Sequence, residues 1–286
     1  MSETEQIRAK AKELLDSKKV DCVIGYERAT DGKNARPMFV YNAKDTDRLI
    51  FDQTCRHNLV RYLLNRKDKV TGIVVKPCDS RAINLLINEH QIARDKVVII
   101  GVVCPGLVKT DWNKTGDKLR DACQICQQRT PVVYDVLIGE PKKVEPPADA
   151  YPDVTGMEGK SVEEKRAFWE KEFSRCIRCY ACRQACPGCY CSECFVDRLD
   201  PLWVGIRIAP AENEMWNTMR AFHLGGRCIG CNACEMVCPV NIPLSLLNRK
   251  LEKEVMTLFK FQAGLDPEAP QPLAAFLKDE KLGVAE

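Results

Sequence analysis

Two cysteine runs constrain this chain more than any other feature. Cys176, Cys179, Cys182 and Cys186 stand at C-x2-C-x2-C-x3-C spacing ahead of Pro187, and Cys228, Cys231, Cys234 and Cys238 repeat the pattern ahead of Pro239. Three thiols two residues apart wrap a tight loop round one face of an iron–sulfur cubane. The fourth, three residues on, is turned away and reaches a second cubane, and the proline redirects the chain. The spacing therefore predicts an exchange of ligands between the runs. One [4Fe-4S] cluster takes Cys176, Cys179, Cys182 and Cys238; the other takes Cys228, Cys231, Cys234 and Cys186. The competing reading, a pair of zinc sites, usually shows paired C-x2-C motifs or added histidine.

The remaining composition agrees with thiolate chemistry in a reducing compartment. The chain holds 17 cysteines in 286 residues, six before residue 150 and eleven between Cys176 and Cys238. The odd count, the crowded spacing and a polar, charged N-terminus argue against disulfides and for the cytoplasm. Lys and Arg number 43 against 40 Asp and Glu, a net charge of +3, and no basic stripe points to nucleic acid or a membrane surface. No apolar run is long enough to span a bilayer.

Residues 3–17 read as an amphipathic helix. Short β-branched runs follow at 20–24, 37–41, 70–76, 97–103 and 132–138, several separated by helical patterns such as Leu59, Val60, Leu63 and Leu64. Alternating strands and helices predict an α/β domain over 1–140 with a partly parallel sheet. The Pro-rich stretch 141–160 reads as a linker. Ser161 and Glu164 then form a capping box that opens a helix carrying Phe168, Trp169 and Phe173. A small α+β, two-cluster ferredoxin-like domain with a helical insertion is expected over 161–262, closing on a helix with Leu244, Leu247, Leu251, Val255 and Leu258 in register. Residues 263–286 read as a tail lying on a partner or on the protein itself.

The insertion between Cys186 and Cys228 is 41 residues long and contains Cys189, Cys191 and Cys194. These thiols form a further metal centre if Cys55 or Cys22 supplies a fourth ligand; otherwise they are spare thiols. Cys78 lies where a strand meets a helix, with Asp79 or Ser80 as N-cap. Cys104 ends the next strand, and Cys123 and Cys126 form a separate C-x2-C. Strand ends are where open α/β sheets bind ligands. From spacing alone these four either converge on one site or are structural cysteines beside a redox or zinc half-site. Gly225, Gly226 and Gly230 are expected to let backbone N–H groups approach cluster sulfur. His57, His90 and His223 read as surface or core residues, and Trp203, Trp216 and Phe222 as core or interface aromatics.

The order KPCDS (76–80), GVVCPG (101–106) and CQICQQRTPVVYDVLIGE (123–140) resembles successive motifs of one domain. That domain belongs to the beta subunits of deazaflavin-coenzyme-reducing hydrogenase and related formate dehydrogenases. GGRCIGCNACEMVCP, after RAFH, is similar to the iron–sulfur region of sulfhydrogenase and anaerobic sulfite reductase electron-transfer subunits. The resemblance implies a third [4Fe-4S] cluster on Cys78, Cys104, Cys123 and Cys126. It implies FAD beside that cluster, for which Lys76, Asp79 and Ser80 are the candidate contacts, although no G-x-G-x-x-G is present. It further implies other subunits of an oxidoreductase and a protein electron donor or acceptor as partners.

The sequence thus predicts an electron-transfer subunit of a multi-subunit oxidoreductase of hydrogenase, heterodisulfide reductase or formate dehydrogenase type. Its rivals are a flavin-dependent dehydrogenase acting on a deazaflavin or nicotinamide coenzyme, and a zinc-binding interaction module.

Overall fold

A computed structural model describes residues 1–111 and 114–272. Its first part is built on a five-stranded sheet in the order β2-β1-β3-β4-β7. The parallel strands are β1 (Cys22–Arg28), β3 (Thr71–Val75), β4 (Val97–Val102) and β7 (Val136–Ile138), and β2 (Ala35–Val40) runs antiparallel at one edge. All five residues of β3 and six of seven in β1 are buried, the near-continuous apolar run of a strand covered on both faces. Helix α1 (Glu3–Asp16) opens with a reciprocal Ser2–Glu5 capping box and buries Ile7, Ala11 and Leu14 in the same core. Helix α2 (Pro77–Asn88) makes the crossover from β3 to β4. A hairpin of β5 (Val108–Asp111) and β6 (Lys114–Leu119), then the short α3 (Asp121–Gln124), fill the connection from β4 to β7. All these crossovers deliver residues to the carboxyl end of the parallel sheet.

Two elements differ from expectation. The last strand begins at Val136, not Val132, because the residues before it are bonded elsewhere: Val132 N–H donates to Ser80 Oγ, and the Asp135 carboxylate accepts from Ile99 N–H at 2.7 Å. The stretch 59–65 is a 3-10 helix capped by the Asn58 side chain.

The second part comprises α4 (Pro152–Glu158), α5 (Val162–Ser174), α6 (Ala181–Ala185), α7 (Pro210–His223), α8 (Ala233–Met236) and α9 (Leu244–Phe259). The expected capping box at Ser161 and Glu164 opens α5. The expected α+β character does not hold: among the described residues, 139–272 contain no strand. The stretch read as a linker also contains α4. Its proline sits in the first helical turn, where a missing N–H costs nothing. Asp153 pairs with Arg249 at 2.7 Å, and Glu158 with Lys250 and Lys253, so α4 is tied to α9. No helix among the described residues is long and apolar enough to cross a membrane.

The two parts meet along α2. Arg81 donates twice to Ala263 O, and Asn84 donates to Gly264 O, so the segment after α9 lies on this helix. Gly264 is left-handed (φ 74°), and a Cβ there would stand 2.1 Å from Arg81 O, which leaves room only for glycine.

Candidate metal centres

The two cysteine runs fold alike. In CIRCYAC the third and fifth positions, Arg178 and Tyr180, take φ 48° and 57°; in CIGCNAC the matching Gly230 and Asn232 take 67° and 54°. Each loop therefore turns twice through the left-handed region and enters a one-turn helix, α6 or α8, and these two helices pack on each other. Such turns point successive N–H groups inward.

Cys186, Cys228, Cys231 and Cys234 line one cavity of about 410 Å³. Backbone N–H groups aim at their sulfurs: Gly230 at Cys228, Ala233 at Cys231, and Gly188 and Cys189 at Cys186. The Asn248 amide of α9 lies 3.8 Å from Cys234 Sγ. Burial pushes the Cys228 thiol well up and Cys231 up to about 12. Cys186 moves the other way, to about 6, because the Cys189 thiol donates to it and Arg220 adds positive charge.

Cys176, Cys182 and Cys238 are buried against Trp216, Ile242 and Leu244, while Cys179 is exposed. Ile242 N–H lies 3.4 Å from Cys238 Sγ. Burial pushes Cys182 up to about 11; Arg220 opposes this, and Cys234, Cys176 and Cys238 act with it. Cys186 thus lies with Cys228, Cys231 and Cys234, and Cys238 with Cys176 and Cys182, while Cys234 borders both groups.

A third group forms at the carboxyl end of the sheet. Cys78 opens α2, and burial pushes its thiol well up; Cys231 and Cys104 stand near enough to push the same way. Cys104 is pushed up to about 11 by burial, and Cys123 and Cys126 act on it in turn. Gly106 N–H aims at Cys104 Sγ and Leu107 N–H at Cys123 Sγ, both at 3.4 Å. Cys78 and Cys126 line a cavity of about 560 Å³ shared with Tyr151, Gly230 and Glu252. Cys78, Cys104, Cys123 and Cys126 are therefore neighbours, and they abut the Cys228–Cys234 loop.

Grouped thiols, N–H groups aimed at their sulfurs and apolar surroundings are the chemistry that a [4Fe-4S] cluster takes, and the residues present fit it. Among the described residues, no three His, Cys, Asp or Glu side chains close tightly enough to grip a single ion.

Other expected site residues fall elsewhere. Cys55 is fully buried in the α/β core, held by Asp52 N–H at 3.3 Å, and burial pushes its thiol up to about 12. It does not join Cys189, Cys191 and Cys194. Those three line a cavity of about 750 Å³ but have different surroundings: Cys189 turns to Cys186, Cys194 bonds Arg183, and Cys191 is exposed. Cys22 is buried where β1 begins. Lys76, Asp79 and Ser80 are also buried. Lys76 Nζ pairs with Asp79 at 2.7 Å and donates to His57 O and the Tyr26 hydroxyl, while Ser80 Oγ donates to Pro77 O and accepts from Val132 N–H. Their polar groups anchor α2 to the sheet and are not presented to a flavin. The N-cap of α2 is Lys76, whose N–H is bonded by the Asp79 carboxylate. Trp216 is core, whereas Trp203 and Phe222 are exposed. Gly230 serves a sulfur as expected, but a Cβ on Gly226 would meet Gln271.

The face of α9 that turns inward was not anticipated. It presents Asn248, Arg249 and Glu252 as well as Leu244 and Val255, while Leu258 is exposed. The i, i+4 pair Asn248 and Glu252 beside the leucine register was the available signal. Arg220 of α7, buried beside thiols of both runs, was not anticipated either.

Comparison with known proteins supports iron–sulfur chemistry at the second cysteine run. Residues 226–243 match the 4Fe-4S binding domain family. The chain is 24% identical to the F420-dependent formate dehydrogenase subunit beta of Methanocaldococcus jannaschii, with 92% of each chain covered. It is 25% identical to the F420-dependent formate dehydrogenase 1 subunit beta of Methanococcus maripaludis, over 93% of this chain and 92% of the relative. The chain is an iron–sulfur electron-transfer subunit of an oxidoreductase. The expected resemblance to formate dehydrogenase beta subunits extends over nine-tenths of its length.

Proposed function

We propose that this subunit carries three [4Fe-4S] clusters in a row and links a coenzyme-handling end to a partner subunit. The observation that carries the reading is the continuity of thiols. Cys104 neighbours Cys78, Cys78 neighbours Cys231, and Cys182 neighbours both Cys234 and Cys238. Cys78, Cys104, Cys123 and Cys126 would hold the first cluster, Cys228, Cys231, Cys234 and Cys186 the second, and Cys176, Cys179, Cys182 and Cys238 the third. Bound there, the clusters supply one-electron transfer. The chain's own residues bury most of these thiols at least in part and direct N–H groups at sulfur, with Cys179 left at the surface.

At the first end, the cavity beside Cys78 and Cys126 supports access for a redox coenzyme; the relatives carry F420 dependence in their names. FAD belongs to the same reading, placed at this cavity instead of at Lys76, Asp79 and Ser80. At the far end, exposed Cys179 lies in a loop whose Arg178 grips the carbonyls of Gly205, Ile206 and Arg207. Around that segment Leu199, Trp203, Ile206 and Ile208 are exposed, an apolar surface suited to a partner subunit.

The test is anaerobic purification with iron, labile sulfide, flavin and zinc counted per chain. Three cubanes give about 12 iron atoms. A value of about 8 removes the Cys78 cluster, and zinc in place of iron overturns the proposal. Bound flavin, with oxidation of a reduced deazaflavin by the isolated subunit, would favour the dehydrogenase reading.

A further inference from the structure

One buried charge has no conventional partner. Arg220 of α7 is 4% exposed and pairs with no carboxylate among the described residues. One terminal nitrogen donates to Cys182 O at 3.1 Å, and Nε is buried without an acceptor. A buried guanidinium without a counter-anion is costly. Thiols of both cysteine runs surround it: Cys182 and Cys186 of the first and Cys234 of the second, the last hydrogen-bonded by the guanidinium, with Cys189 of the insertion lining the same cavity as Arg220. Trp216, one turn earlier on α7, packs against the same runs and fixes the helix there.

We propose that Arg220 is a positioning residue shared by the two clusters of the ferredoxin-like region, a single buried cation that raises the reduction potentials of both. The inference rests on the reading of the two quartets as cluster sites. A thiolate-ligated cubane is anionic, and reduction adds one more negative charge. A fixed cation in a low-dielectric setting favours the reduced form, and its field falls slowly enough to act on both neighbours. Arginine suits the role because its planar fork stays charged and can address two groups at once.

The experiment uses the full-length protein with its clusters, and iron and sulfide are counted first. A parent chain without clusters would overturn the reading of the quartets and is thereby distinguished from failure of this proposal. Midpoint potentials are then measured by EPR-monitored titration for the parent, Arg220→Lys and Arg220→Gln. Both substitutions are expected to move two midpoints to more negative values, Arg220→Gln further, while the cluster assigned to Cys78 stays in place. Arg220→Lys keeps a charge to hold the fold but retracts it to a point, so it applies the same criterion if Arg220→Gln does not retain iron. Arg166→Gln serves as a control: this arginine is exposed on α5, pairs with Glu170 at 2.7 Å and lines none of the cysteine cavities, so its loss should leave every midpoint in place. Unchanged potentials on substitution of Arg220, or movement of one cluster alone, would overturn the proposal.

Discussion

Arg178 and Gly230 occupy the same place in the two cysteine loops and share left-handed backbone, at φ 48° and 67°. The arginine tolerates the conformation because its guanidinium holds three carbonyls of the 205–207 segment. Gly230 instead places its N–H on Cys228, and a Cβ there would lie 3.6 Å from Glu252 Oε2, an ordinary contact. Gly230→Ala should therefore carry torsional strain without a clash. We expect a loss of about 1 kcal/mol in anaerobic urea melts with iron retained. Complete loss of iron would show that the loop has no slack.

Cys186 and Cys189 are close enough to share a proton, yet only Cys186 lines the cavity of the second quartet. Cys186→Ser should lower the iron content by about four atoms per chain, and Cys189→Ser should leave it unchanged. Equal iron loss in the two variants would mean that the insertion supplies a ligand.

The sequence showed the cysteine runs because metal ligation imposes a strict spacing, and it showed the parallel sheet because buried strands are apolar throughout. Other features were invisible for physical reasons. Whether Cys78, Cys104, Cys123 and Cys126 meet depends on crossovers that bring strand ends together, which local pattern does not encode. Arg220 looks like any helical arginine until α7 is packed against two thiol clusters. Lys76 and Asp79 sit in a motif that suggests a ligand, but their charges satisfy each other, with Lys76 1% exposed and Asp79 fully buried. Pro152 reads as a breaker and instead starts a helix.

That buried pair predicts an alkaline limit to stability. Burial disfavours the Lys76 ammonium, but the Asp79 carboxylate outweighs it and holds the lysine well above its ordinary range. Burial also pushes the Tyr26 hydroxyl, which touches Lys76, well up. Both groups hold their protons more tightly folded than unfolded. Their contribution is complete below about pH 10 and is lost as pH rises through the folded values. Urea melts from pH 8 to 11 should show stability falling above about pH 10, with a shallower fall in Tyr26→Phe. Asp79→Asn, which strands the ammonium, should cost about 3 kcal/mol at pH 8. A fall of equal slope in Tyr26→Phe would remove the tyrosine from this account.

Cys78, the proposed ligand, and Cys55, a thiol of the α/β core, lie in the same part of the chain. Cys55 is fully buried and Cys78 is partly accessible beside its cavity, but burial raises the pKa of both thiols, so thiolate character does not distinguish them. Their neighbours do. Cys78 faces Cys104 and Cys231, whereas Cys55 faces Asp52 N–H and packs with the sheet. Cys55→Val exchanges one small apolar group for another and should keep all the iron, at a stability cost of about 1 kcal/mol. Cys78→Ser should remove about four iron atoms while leaving the EPR signals of the other two clusters in place. It should also disconnect the coenzyme cavity from the rest of the chain, so that a reduced coenzyme no longer reduces the clusters, whereas dithionite still does. Reduction by coenzyme at the parent rate in Cys78→Ser would place the entry point elsewhere, and iron loss in Cys55→Val would return Cys55 to the list of ligands.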